Sequence, residues 1–311
     1  MSVKLASISI DLDEVPRYAA IHGVEPPAEP GVNAVYERCL SRFRTWLDEE
    51  SVRATFFVIG EDLEREANQR AVAELHGEGH EIGNHSYHHH YDLTRRAAAD
   101  IGEEVARGAD AIERACGQRP SGFRAPGYTV SDILFSALDA NGVEYDSSVF
   151  PCPSYYAAKA AALATLRLRG KKSASILDSP AVLRAPRAPY RVGRPYWTRG
   201  DGLLELPIGV TPLQLPYIGT SLVLGGEQVA EELTRQMLGR ELVNLELHGL
   251  DLADARGDGL ESLVPHRADL RRTTDGKLRA LRRAVQVLRE AGYDFVTLEE
   301  AARRLEPTPS P

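Results

Sequence analysis

Cysteine is scarce in this chain. The three present, Cys39, Cys116 and Cys152, are odd in number and share no CxxC spacing, which excludes a disulfide framework and fits a reducing compartment. No apolar stretch approaches the length needed to span a bilayer. The opening VKLASISI is interrupted by serines and followed at once by acids, so it does not read as a signal-peptide core. The expected location is therefore the cytoplasm, with the inner face of the membrane as one place within it. Net positive charge is missing as well: the formal value of −8 excludes general affinity for nucleic acid. Internal repeats and low-complexity blocks are absent.

What is present is enough apolar material for a large core, 43% hydrophobic residues in 311. Apolar runs predict strands near 5–11, 54–59, 80–84, 121–125, 144–147, 203–208, 241–248 and 294–297. Helical periodicity predicts helices over 33–49, 64–78, 95–116, 131–140, 227–239 and 276–291, several closed by a glycine such as Gly79, Gly117, Gly142 or Gly292. Strand and helix alternate seven or eight times, the pattern of a parallel α/β barrel. We expect one domain over 1–305 and a disordered tail at 306–311, EPTPSP.

One stretch breaks the rhythm. Residues 151–200 are rich in proline and carry ten Lys or Arg against a single acid, Asp178, so this segment is +9 and the remainder −17. It reads as a long excursion with one helix in YYAAKAAALATLRLR. Tyr155, Tyr156, Tyr190, Tyr196 and Trp197 are interleaved with its cations, a mixture suited to a phosphate-bearing sugar or an anionic bilayer surface, although charges on an irregular loop often do no more than solvate it.

Five of the nine histidines fall between positions 80 and 90, and His85 and His89 stand four apart behind an apolar strand. The first predicted strand ends in DLD, whose i,i+2 spacing sends the Asp11 and Asp13 carboxylates to one face. Two imidazoles and one carboxylate form a hydrolytic metal set with an open fourth position, and the other carboxylate is then free to act as a base. Arg124 ends the fourth strand and His248 the seventh, so six apt groups gather at the C-terminal rim, where barrels of this type place their sites. Taken singly, each has a plainer reading: a turn cap for DLD, a surface loop for the histidines, an ion pair for Arg124, a core histidine for His248. His88 and His90 read as bystanders, and His22, His76, His80 and His266 receive no role.

Together these residues resemble the polysaccharide deacetylase family, carbohydrate esterases built on a distorted, partly open α/β barrel. HSYHH is similar to its H(S/T)xxH metal motif, FRAPGY to its arginine-proline motif and LELH to its closing LxxH motif, in family order along roughly the whole chain. DLD departs from the commonest first motif, two adjacent aspartates, and is similar to branches that include peptidoglycan-deacetylase-like and lipid-linked aminosugar deformylase-like members. The aspartate-tryptophan motif is missing. Trp197 and Asp201 precede the sixth strand and Glu205 lies within it, which leaves open the partner that orients His248.

The resemblance implies a single distorted (β/α)7-8 barrel and a divalent metal held by Asp13, His85 and His89. Zinc is the first expectation, with cobalt, manganese, nickel or iron able to use the same donors. It further implies Asp11 as base, Arg124 as the group that holds it, Gly127 and Tyr128 as the substrate and oxyanion turn, and His248 as the acid that protonates the leaving amine. The implied reaction removes an acetyl or formyl group from an N-acylated amino sugar, carried on a lipid or nucleotide. A small-molecule cyclic amide hydrolase of the same fold, or a catalytically silent carbohydrate- or lipid-binding protein, are the other readings. Peripheral membrane contact through residues 151–200 is an expectation; oligomeric state is left open.

Overall fold

The computed structural model describes residues 4–305, so the expected disordered tail lies outside the described residues. The strands are β1 (Leu5–Asp11), β2 (Thr55–Val58), β3 (Glu81–Asn84), β4 (Gly122–Phe123), β5 (Tyr145–Asp146), β6 (Tyr190–Val192), β7 (Arg199–Glu205), β8 (Leu242–His248) and β9 (Asp294–Phe295). They join in the order β6-β7-β5-β4-β3-β2-β1-β8, with β9 beside β1; the β6–β7 ladder is antiparallel and the ladders among the other named strands are parallel. Every residue of β1 and β2 is buried, as parallel strands covered on both faces require.

The expected barrel is present in half-open form. No ladder joins β8 to the far end of the sheet among the described residues; the irregular chain after β7 fills part of that gap. The Gly209 amide donates to Asn244 O at 3.1 Å, and Asn244 Nδ2 donates to Leu206 O at 3.2 Å and to Ser147 Oγ at 3.0 Å. A side-chain amide thus satisfies carbonyls that a strand would otherwise have paired.

The strands fall close to their expected positions, except that β6 was not foreseen. It lies inside the basic excursion and forms a hairpin with β7, closed by the Gly193 amide on Thr198 O at 2.8 Å. This hairpin corrects one expectation: Tyr190 and Tyr196 are 2% and 3% exposed and packed with Phe123 and Leu134, so neither can stack on a sugar. The excursion's predicted helix is Pro153–Leu168, which has no buried residue. The predicted helix over 33–49 is a 3-10 turn, Gly31–Asn33, a π turn, Val35–Cys39, and an α-helix, Leu40–Glu49. Three short helices escaped the sequence reading: Val15–His22, Gly219–Gly225 and Leu298–Leu305.

Among the described residues, no helix is long and apolar enough to cross a membrane.

Candidate active site

β1 and β8 are parallel neighbours, and their register pairs Asp11 with His248 at the ends of both strands. Two residues on, Asp13 meets the histidines that follow β3. The loop that carries them is not a helix. Ser86 and His89 both adopt left-handed backbone, φ 64° and 57°, and the Ser86 hydroxyl accepts the His89 amide at 3.1 Å. This turn folds His89 back onto His85, with ring centroids 4.8 Å apart. The helix Ala98–Cys116 supports the loop closely, since a Cβ on Gly108 would lie 2.3 Å from Asn84 Oδ1 and 3.0 Å from the Ser86 carbonyl carbon.

Asp13 Oδ1 lies 3.0 Å from His89 Nε2 and 3.4 Å from His85 Nε2, all three side chains being buried. Asp13 Oδ1 and both ring nitrogens of His89 nevertheless have no directed hydrogen bond. His85 Nδ1 sits 2.7 Å from Arg124 O; a carbonyl only accepts, so Nδ1 carries a proton and Nε2 is the ring nitrogen turned to Asp13. Burial alone would raise the Asp13 carboxyl, but His89 and His85 outweigh it and hold the group well below the ordinary range. Burial pushes His89 down to about 4 against the pull of Asp13. An ionised carboxylate and a neutral imidazole, converging without hydrogen bonds, fit a divalent cation.

Arg124 is fully buried at the end of β4 and spends its whole fork inside the barrel. Nη1 donates to Asp11 Oδ1 at 2.7 Å, Nη2 to Ser9 Oγ and Ser147 Oγ at 2.9 Å each, and Nε to Ser147 O at 2.8 Å. Burial raises the Asp11 carboxyl and Arg124 only partly offsets this. A carboxylate tuned upward towards neutrality while its geometry is held is what a general base needs.

The partner of His248 is Glu246. Nδ1 lies 2.9 Å from Glu246 Oε1, an ion-pair contact without the angle of a directed hydrogen bond, and Glu246 is fully buried. Burial disfavours the imidazolium, yet the Glu246 carboxylate prevails and lifts His248 to about 10. The other ring nitrogen, Nε2, is 3.1 Å from the Tyr128 hydroxyl. Trp197, Asp201 and Glu205 do not serve His248; Glu205 instead pairs in register with Asp146. The sequence reading missed Glu246, although i,i+2 spacing within NLELH places both side chains on one face of β8.

Gly127 and Tyr128 take left-handed backbone, φ 63° and 59°. The Tyr128 amide donates to Ala125 O at 3.1 Å, and Lys159 Nζ, from the excursion helix, donates to Gly127 O at 3.0 Å. The excursion thus reaches the site at this turn. A cleft of about 590 Å³ opens beside His89, with Arg17, Asp62, Tyr91 and Ala174 on its walls.

Residues 32–145, which carry Arg124 and both loop histidines, match the family model for polysaccharide deacetylase. This segment carries the chain's likeness to the polysaccharide deacetylases. A chitooligosaccharide deacetylase from Bradyrhizobium sp. (strain ANU 289) is 38% identical over 108 residues, 34% of this chain and 48% of that protein. A peptidoglycan deacetylase from Helicobacter pylori is 24% identical over 147 residues, 47% of this chain and 49% of that one. The chain thus spans about half the length of these curated relatives. For the fold, a Mycobacterium smegmatis crystal structure named for the polysaccharide deacetylases superposes with TM-score 0.60 at 18% identity, covering 97% of this chain and 90% of that one. The half-open barrel is the deacetylase fold.

Proposed function

We propose that the chain is a metal-dependent hydrolase that removes an N-acyl group from an amino sugar. One observation carries the reading: two differently tuned proton-transfer groups, Asp11 on Arg124 and His248 on Glu246, end neighbouring strands beside the Asp13, His85 and His89 donor set. A silent binding protein has no need of either group. Relatives named for chitooligosaccharide and peptidoglycan deacetylation support an acetylated amino sugar as substrate.

Asp13, His85 and His89 would hold the cation. When bound there, a divalent metal polarises the amide carbonyl and lowers the pKa of water from ~16 towards ~7. Asp11 accepts a proton from the attacking water while Arg124 keeps its carboxylate aimed. His248, charged at neutral pH, donates its Nε2 proton to the departing nitrogen, so the amide and water become a carboxylic acid and an amine. The Tyr128 hydroxyl, 3.1 Å from His248 Nε2, holds the imidazole in line beforehand. With its amide bonded to Ala125 O, Tyr128 supports the site better through this hydroxyl than as the expected oxyanion donor.

The acyl group and carrier are finer matters. The cationic segment just after the excursion helix, Lys171 and Lys172, lies against the helix Val15–His22, where Ala174 N donates to Ala20 O at 3.0 Å, and Leu168 is 89% exposed. That arrangement supports contact with an anionic lipid surface and a carrier-linked sugar. The deciding assay is acetate and formate release from N-acetylated and N-formylated amino-sugar oligomers and from a lipid and nucleotide-sugar extract, comparing metal-loaded wild type with Asp11→Asn. Acid released by wild type alone supports the reading, and its identity separates deacetylation from deformylation. Release by neither protein sinks it in favour of a ring-opening hydrolase or a binding protein.

A further inference from the structure

His88 and His90 flank His89, but the turn that sends His89 inward leaves both neighbours facing Glu104 on the helix Ala98–Cys116. His88 Nδ1 is 2.5 Å from Glu104 Oε1, and His90 Nε2 is 3.7 Å from the same oxygen. The two imidazole rings lie side by side, with centroids 5.1 Å apart and planes 31° from parallel. All three donor atoms fall within 4.8 Å of one another. Neighbouring donors on a tetrahedral zinc ion sit roughly 3.3 Å apart, given metal–ligand distances of about 2.0–2.1 Å. The observed spacings bracket that value, so small side-chain rotations suffice.

Two further features favour a bound cation over a plain hydrogen bond. Glu104 Oε2 accepts the His88 backbone amide at 2.9 Å, which fixes the carboxylate and leaves Oε1 as a single aimed donor. The side chains of His88 and His90 are 31% and 32% exposed, whereas that of Glu104 is 8% exposed. Ions can therefore approach from solvent towards a buried, ionisable anchor. Arg96, a cation that acts on His90, is engaged by Asp92 at 3.1 Å.

We infer that His88, His90 and Glu104 form a second, peripheral divalent-metal site, distinct from the Asp13, His85 and His89 set. Its two imidazoles and one carboxylate select a borderline cation such as zinc, nickel or copper over magnesium or calcium, with water completing the shell. A cation there ties the loop after β3 to the helix Ala98–Cys116, bracing from outside the turn that presents His89. The inference does not depend on the proposed hydrolysis.

The test is metal stoichiometry on the full chain, by zinc titration calorimetry and by elemental analysis after dialysis. Wild type should take up two equivalents, the double substitution His88→Ala/His90→Ala one, and His85→Ala/His89→Ala one. Glu104→Gln, which keeps the side chain's shape, should weaken the second equivalent at least tenfold. Circular dichroism on each variant distinguishes a lost site from a lost fold. A folded His88→Ala/His90→Ala protein that binds as many equivalents as wild type, or a folded His85→Ala/His89→Ala protein that binds none, overturns the site.

Discussion

His248 Nδ1 lies 2.9 Å from Glu246 Oε1, two residues back on the same strand, so one strand supplies both an imidazolium and the carboxylate that keeps it charged. The partner that the sequence left open is a strand neighbour. Glu246→Gln removes the charge that outweighs burial, and the His248 pKa should fall from about 10. In a pH–rate profile of deacylation, the alkaline limb should move to lower pH in this variant, with kcat at pH 8 falling by ~10²-fold or more. A limb that stays in place would assign the acid role elsewhere. The pair also contributes to stability: the folded His248 pKa is raised, so its contribution is complete below the unfolded value near 6.5 and is lost as pH rises through about 10.

Removing Arg124 should destabilise the fold as well as the chemistry. Arg124→Met leaves Asp11 buried without its cation, and breaking a buried pair of this kind costs about 3–5 kcal/mol. Urea denaturation at pH 7 should show a lower midpoint with an unchanged slope. The deficit should shrink towards pH 4, where Asp11 can take up a proton. An equal loss at both pH values would mean that packing over Phe57, 4.2 Å from the guanidinium, is the larger contribution.

Asp146 and Glu205, paired across β5 and β7, are both fully buried, and burial raises both carboxyls. Groups whose folded pKa is raised lose stability as pH climbs from their unfolded values through the folded ones. Glu205→Gln should therefore raise the thermal midpoint at pH 8 relative to wild type and change it less at pH 4. Identical shifts at the two pH values would mean that burial does not raise the Glu205 carboxyl.

Chelation should abolish acyl release, and addition of zinc or cobalt should restore it in wild type but not in Asp13→Asn. Metal content measured beside activity makes the result unambiguous: an active, metal-free wild type would remove the metal from the mechanism.

Replacing Lys171 and Lys172 with glutamate should reduce sedimentation with anionic liposomes while leaving sedimentation with neutral ones unchanged. Unchanged binding to anionic vesicles would limit the excursion's role to the Gly127 turn, which Lys159 reaches.

Much of the architecture was legible in advance because it rests on short-range physics. The period of the apolar runs marked eight of the nine strands among the described residues, and β6 escaped because three residues between prolines and arginines carry too little pattern. The helix Leu298–Leu305, LEEAARRL, was missed for the same reason of length. Spacing selected His85 and His89 from five clustered histidines, and the resemblance supplied an order for Asp11, Asp13, Arg124 and His248.

What the chain order could not convey is which groups meet across the sheet. Arg124 reaches Asp11 from 113 residues away, and the Tyr128 hydroxyl meets His248 across 120. The left-handed turn at Ser86 and His89, which sends one histidine inward and two towards Glu104, depends on close backbone approach to Gly108. The amino-acid sequence alone determined the alternation of strands and helices and the chemical inventory at the strand ends, since both follow from local periodicity. Only tertiary structure decided the tuning of each group, because burial and the sign of the nearest charge are properties of the folded neighbourhood.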